Sequence, residues 1–194
     1  MESIGTHALQ PGEGPSCGAP ADHFPWYALR LYFVHQQQVA DYLTERGMEV
    51  FVPMEYADSV DDAGKRHRTL RPVVRNLLFM KKTLSEKHVR GMVAEMPFKV
   101  SVLRKSAECA DYYEIPARQM LEFRIMCNPD LALRQFISND EAKLKAGDPV
   151  RVVRGPLQGL TGRLVRSSKK YFLLKEVPGI AVMLKVTRWC CEPV

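Results

Sequence analysis

Hydrophobic and polar positions change their period several times along the chain. From Trp26 to Tyr32 they alternate, with Tyr27, Leu29 and Leu31 on one side and Trp26, Ala28, Arg30 and Tyr32 on the other; Phe33 continues the first set. Strict alternation predicts a strand. Between His35 and Arg46 the spacing becomes helical, with Val39, Tyr42 and Leu43 on one side and Gly47 as the stop. A second strand is predicted over Glu49 to Pro53, then a polar loop over Asp58 to Arg71, then a third strand over Val73 to Lys82. Val89, Met92, Val93 and Met96 mark a helix from Ser85 to Met96, ended by Pro97. A strand over Lys99 to Leu103 follows, and Pro116 suits the first turn of a helix running to Cys127.

Beyond Asn128-Pro129 the pattern changes. Residues 130–145 look like a mostly exposed connector with some apolar positions. From Gly147 onward only strands are predicted, near 150–154, 162–166, 171–176 and 181–186. The segment VRVVRGPLQGLTGRLV alternates valines with arginines and places Gly155, Gly159 and Gly162 where turns need positive φ or backbones approach closely. The order β-α-β-β-α-β-α followed by β alone predicts an α+β chain: an antiparallel sheet with packed helices, then a small all-β barrel whose closure removes exposed edges.

Composition refines this only slightly. The chain has 194 residues and a formal net charge of +6, which favours an anionic partner. Five cysteines (Cys17, Cys109, Cys127, Cys190 and Cys191) form no CxxC pair and read as reduced thiols of a cytoplasmic protein. No apolar run approaches the ~20 residues of a membrane span. Residues 1–23, rich in Gly and Pro and without a signal-like core, predict a disordered leader. The chain carries no P-loop, HExxH, GxSxG or metal-ligand spacing, so no catalytic residue, cofactor or metal is expected and the protein should act by binding.

Two motifs carry a resemblance. KAGDPVRVVRGPLQGLTGRLV is similar to a KOW motif through Gly147, Asp148, Val150, Val152, Gly155, Pro156, Gly159 and Gly162. WYALRLYFVHQQQVADYLTERGMEVFVPM resembles the start of the amino-terminal (NGN) domain of NusG-family transcription elongation factors, through Trp26-Tyr27, the amphipathic helix and Val52-Pro53. RPVVRNLLFMKK stands where the family has Pro-Leu-Phe-Pro-Gly/Asn-Tyr-Leu-Phe-Val, with Val74, Arg75, Asn76 and Leu77 departing from it. That departure suits a specialised paralog. IPARQMLEF, Ile115 to Phe123, is similar to a segment of the UpxY-like antiterminators of capsular polysaccharide operons. The implied organisation is a leader (1–23), an NGN-like RNA polymerase-binding domain (24–128), a linker (129–145) and a KOW barrel (146–194).

The resemblance also implies roles. Leu78 and Met80 alternate with Leu77 and Phe79, and the face of Leu77 and Phe79 matches the one on which the family seats the clamp helices of RNA polymerase. Arg30 and Tyr32 flank it. His88 aligns with the start of the family's His-Thr-Thr-Thr patch, although Val89 and Arg90 replace its hydroxyls. The basic run Lys65, Arg66, His67, Arg68, Arg71 and Arg75 corresponds to a loop near non-template DNA, where contacts would be salt-sensitive. His35, Gln36, Gln38 and Tyr42 offer donors and an aromatic for sequence readout. The KOW barrel, through Leu157 or the turn Val177 to Ile180, would recruit a ribosomal protein or a termination factor.

Together these features predict a monomeric cytoplasmic antitermination factor that holds the polymerase clamp closed on one or a few operons and touches non-template DNA or nascent RNA. An RNA- or ribosome-binding KOW protein and a housekeeping elongation factor are the alternatives. Phe79 lacks the paired aromatic of an RNA-reading sheet, and VVRNLLF argues against the housekeeping role.

Overall fold

A computed structural model describes residues 23–32, 35–61 and 64–194. The expected leader, apart from His23, lies outside the described residues, as does Phe33. The chain is α+β. Its first part comprises β1 (Trp26–Leu31), α1 (Gln36–Glu45), β2 (Val50–Phe51), β3 (Met54–Val60), β4 (Arg66–Pro72), β5 (Leu77–Lys81), α2 (Glu86–Glu95), β6 (Val100–Val102) and α3 (Ala117–Met126). Strands β2-β5-β1-β6 form one antiparallel sheet in that order.

The predicted alternation sorts the side chains. Tyr27 opposes Met80 and Leu29 opposes Leu78, so these four share a face. With Leu31, they bury Val39 and Leu43 of α1 and Val89 of α2 in one apolar cluster. Ser85 caps α2, its hydroxyl oxygen accepting from the His88 backbone N–H at 3.4 Å. The opposite face presents Trp26, Ala28, Leu77 and Phe79, which pack with Ile115 and with Met120, Phe123 and Met126 of α3.

Two expectations need correction here. The polar loop of Asp58 to Arg71 is an exposed hairpin, β3 paired with β4, and the third strand begins only at Leu77. The hairpin lacks an apolar stripe because neither face packs on a core. It is held by its ladder and by cross-strand pairs such as Arg71 with Glu55, Nη2 to Oε1 3.1 Å. The connector is also structured: β7 (Arg134–Ile137) joins the carboxyl-terminal sheet and α4 (Asn139–Leu144) packs on it.

That sheet continues with β8 (Gly147–Val152), β9 (Thr161–Ser167), β10 (Lys170–Val177), β11 (Ile180–Val186), a 3-10 turn over Arg188–Cys190, and β12 (Cys191–Pro193). Its order is β12-β8-β9-β10-β11-β7. The arrangement is consistent with a KOW-like β domain. Gly162 is required in β9: a Cβ there would lie 2.6 Å from the Leu174 carbonyl oxygen of β10. Phe172, Leu174, Ala181 and Met183 pack with Ala142 of α4, whereas Leu173, Val182 and Leu184 point to the other side. No described helix is long and apolar enough to cross a membrane.

Candidate functional site: an apolar face under the carboxyl-terminal sheet

The face expected to be exposed for docking is covered. Leu77 is 4% and Phe79 0% accessible, and both belong to an apolar cluster that continues into Leu173, Val177, Ile180 and Val182. Two different covers produce this. Phe79 is held by rings, with centroids 5.6 Å from Phe123 and 6.3 Å from Phe51. Leu77 meets the β10–β11 turn, where Gly179 has φ +95° and a Cβ would lie 2.8 and 2.9 Å from the two Leu77 δ-carbons. Only glycine lets that backbone rest on Leu77.

A polar cluster ties α3 to the same sheet. The Glu122 carboxylate, 6% exposed, pairs with the Lys175 ammonium of β10, 14% exposed. Thr161 Oγ1 donates to it at 2.9 Å, and Arg118 Nε lies 3.3 Å away. The Lys175 ammonium also donates to the Thr161 carbonyl at 3.1 Å. Gln119 Nε2 donates to the Glu176 carbonyl at 2.6 Å. At the other end of α3, Arg134 of β7 donates to the Cys127 carbonyl at 2.8 Å. Burial pushes the Cys127 thiol well up and holds the Arg134 guanidinium below its ordinary range.

The remaining predicted residues are scattered. Arg30 is exposed and opposes Leu77 in register, so it shares that face. The Tyr32 hydroxyl lies 3.2 Å from Ser101 Oγ. His88 is exposed on α2, beside Ser85 Oγ at 2.7 Å, but α2 covers the opposite face of the sheet and does not join the Leu77 site. Leu157, between β8 and β9, packs against the shared core, and the turn from Val177 to Ile180 is occupied by Leu77. Gly147 and Asp148 open β8, and Gly155, Pro156 and Gly159 form the following turn.

The basic residues of the hairpin are neighbours along β4, and Arg75 lies beyond its base. Lys65, Arg66, His67 and Arg68 are exposed on the β3–β4 hairpin, and Arg75 is exposed just before β5. His67 Nε2 lies 2.7 Å from Asp61 Oδ2, and the Arg68 guanidinium sits 4.1 Å from the Tyr56 ring centroid. The proposed readers on α1 divide. His35 and Gln38 are exposed, but Gln36 is buried and donates to the Leu77 and Val74 carbonyls, the latter at 3.2 Å. Gln36 is thus a structural clamp and does not present its amide to a base. Tyr42 is half-buried, edge-on to Phe98 with Arg46 3.4 Å above its ring centroid.

Sequence reasoning missed Glu122, Thr161, Lys175 and Gly179. The one available signal was Glu122 itself, a carboxylate placed between the buried Met120 and Phe123 on an otherwise apolar helix stripe.

A family model described as "Transcription termination factor nusG" matches residues 24–124, just over half of the chain. No curated protein matches the sequence significantly. The four-stranded sheet, its three helices and the Leu77 face all fall within or at the edge of the matched segment. The chain therefore belongs to the NusG family of transcription elongation and termination factors.

Proposed function

We propose that this protein is an operon-specific antitermination factor that binds elongating RNA polymerase through the Leu77 face and holds the clamp closed. Factors of the NusG family bind RNA polymerase, and the altered VVRNLLF segment suits a specialised paralog. The observation that carries the proposal is the apolar face of Leu77 and Phe79, with Arg30 at its rim, covered by a separate sheet instead of by the amino-terminal unit alone.

On this basis the structure is the closed form. Polymerase and the β10–β11 turn compete for Leu77, so binding requires the carboxyl-terminal sheet to leave. The polymerase then draws on a minor open population, and its apparent affinity falls by that fraction. Phe79 remains under Phe123 in either form, which makes Leu77 the anchor that release exposes. Once released, Leu157 and the turn from Val177 to Ile180 become available to a ribosomal protein or termination factor. The exposed basic hairpin contacts the non-template DNA backbone.

Binding of the full chain to purified RNA polymerase tests this. Glu122→Lys places two cations against each other and should open the sheet, raising polymerase affinity. The charge swap Glu122→Lys/Lys175→Glu should restore the wild-type value. Leu77→Asp in the opened variant should abolish binding. Retention of polymerase by the opened Leu77→Asp variant, still folded by circular dichroism, would show that the face is not the anchor.

A further inference from the structure

A second site lies at the opposite end of β10. Val177, the last residue of β10, leads into the turn that meets Leu77, whereas Tyr171 stands near the start of the strand. At roughly 3.3 Å per residue the two ends are about 20 Å apart. The Tyr171 ring carries a guanidinium on each flank, Arg166 and Arg188, each 5.9 Å from its centroid. Beyond them Trp189 is 87% exposed, the most exposed aromatic among the described residues. Lys169, Lys170 and Lys185 stand around the same groove, which encloses about 860 Å³ and has Asp148 as the carboxylate in its wall. None of these five cations is within salt-bridge distance of a carboxylate among the described residues.

This combination has a specific chemical meaning. A solvated basic face alone attracts any polyanion, duplex or single strand. An indole left almost wholly in water gains little from the fold and offers a flat surface for stacking. Unpaired bases supply the matching faces, and guanidinium groups beside Tyr171 supply both phosphate pairing and further planar contacts. A duplex hides its base faces, and an acidic peptide has none. RNA is the nucleic acid that reaches a protein unpaired without prior strand separation. We propose that the end of the carboxyl-terminal sheet formed by Tyr171, Arg188 and Trp189 binds single-stranded RNA, with bases stacked on the indole and phosphates on the surrounding cations. The site faces away from the Leu77 contact and is open in the closed form of the protein. It therefore stands independently of the polymerase assignment.

The test uses the full chain and a 12-nucleotide uridine-rich RNA, followed by anisotropy and by tryptophan emission. Trp26 is 2% exposed, so a quench reports Trp189. Wild type should bind and be quenched. Trp189→Ala should weaken binding roughly five- to hundredfold, the equivalent of one missing stack. Trp189→Tyr should retain most of the affinity while losing the quench. Arg166→Glu/Arg188→Glu should weaken binding and flatten its salt dependence. Arg66→Ala/Arg68→Ala, on the hairpin, should leave the tryptophan quench at saturating RNA unchanged, whatever backbone affinity the hairpin adds. The proposal is overturned if Trp189→Ala, with unchanged thermal unfolding, binds like wild type, or if only the hairpin variant loses RNA. An equal tryptophan quench by duplex DNA, by single-stranded DNA of the same sequence or by polyglutamate also overturns it. Each of those results leaves the polymerase-binding test untouched.

Discussion

Glu122 and Lys175 are ion-paired between α3 and β10, one at 6% and the other at 14% side-chain exposure, and Thr161 donates to the carboxylate at 2.9 Å. Taking such charges from water is costly, and the pair recovers that cost only while every member is present. The contact is therefore intolerant of losing one partner, and it fixes one docking position for the sheet.

Removing one partner should be much worse than removing both. Glu122→Ala leaves the Lys175 ammonium with the Thr161 oxygens alone and should lower unfolding stability by about 3–5 kcal/mol. Glu122→Met/Lys175→Met should be near neutral or stabilising. Urea unfolding midpoints at constant slope check both.

Gly179 should be constrained twice, by its φ of +95° and by Leu77. Gly179→Ala should cost about 1–3 kcal/mol through backbone strain alone, plus a steric part from the Leu77 methyls. Leu77→Ala should relieve only the steric part. A double-mutant cycle that shows no coupling would mean the turn does not rest on Leu77 in solution.

Cys127 should be nearly inert to thiol reagents at pH 8. Its thiol is buried, and its pKa is raised by that burial, so little thiolate forms. Cys109 and Cys190, each only partly buried, should react faster. In a variant with every other cysteine changed to serine, Glu122→Lys should speed the reaction of Cys127 with an aromatic disulfide reagent, because opening the sheet removes part of its cover.

Alkaline pH should destabilise the fold through one cluster. Hydrogen bonding to Glu114 raises the Lys82 pKa above its ordinary 10.5, and burial raises that of Tyr27. Both groups hold their protons more tightly when folded. Their contribution is fully present below the ordinary values and is lost as pH rises through the raised ones. The thermal midpoint should fall more steeply above about pH 10.5 in wild type than in Lys82→Met.

The hairpin should give a salt-dependent, sequence-blind affinity for duplex DNA. Arg66→Ala/Arg68→Ala should reduce the slope of log K against log salt by about 0.9 for each phosphate that is no longer neutralised. An unchanged slope in a mobility-shift titration would place DNA binding elsewhere.

The sequence by itself determined the elements whose side chains repeat with a fixed period. Alternation in Trp26–Leu31 and Leu77–Lys81 assigned each residue to a side, and the two sides sort as predicted, although the Leu77 side is covered and not exposed. The helical stripes of α1 and α2 and the glycine pattern around Gly162 were equally legible, because each encodes local geometry. The β3–β4 hairpin was not, since an exposed two-stranded ribbon is held by its backbone ladder and leaves no apolar period. Nor was β7, which forms only because β11 offers it an edge.

What covers Leu77 was decided by tertiary structure alone. A strand buried on both faces looks the same whether its second cover is a helix of its own unit, a distant sheet or a partner. Periodicity records that a face is apolar and carries no information on what meets it. Gly179, far along the chain from Leu77, supplies the missing half, and Glu122 with Lys175 sets its position. Both depend on side chains far apart in the chain meeting in space.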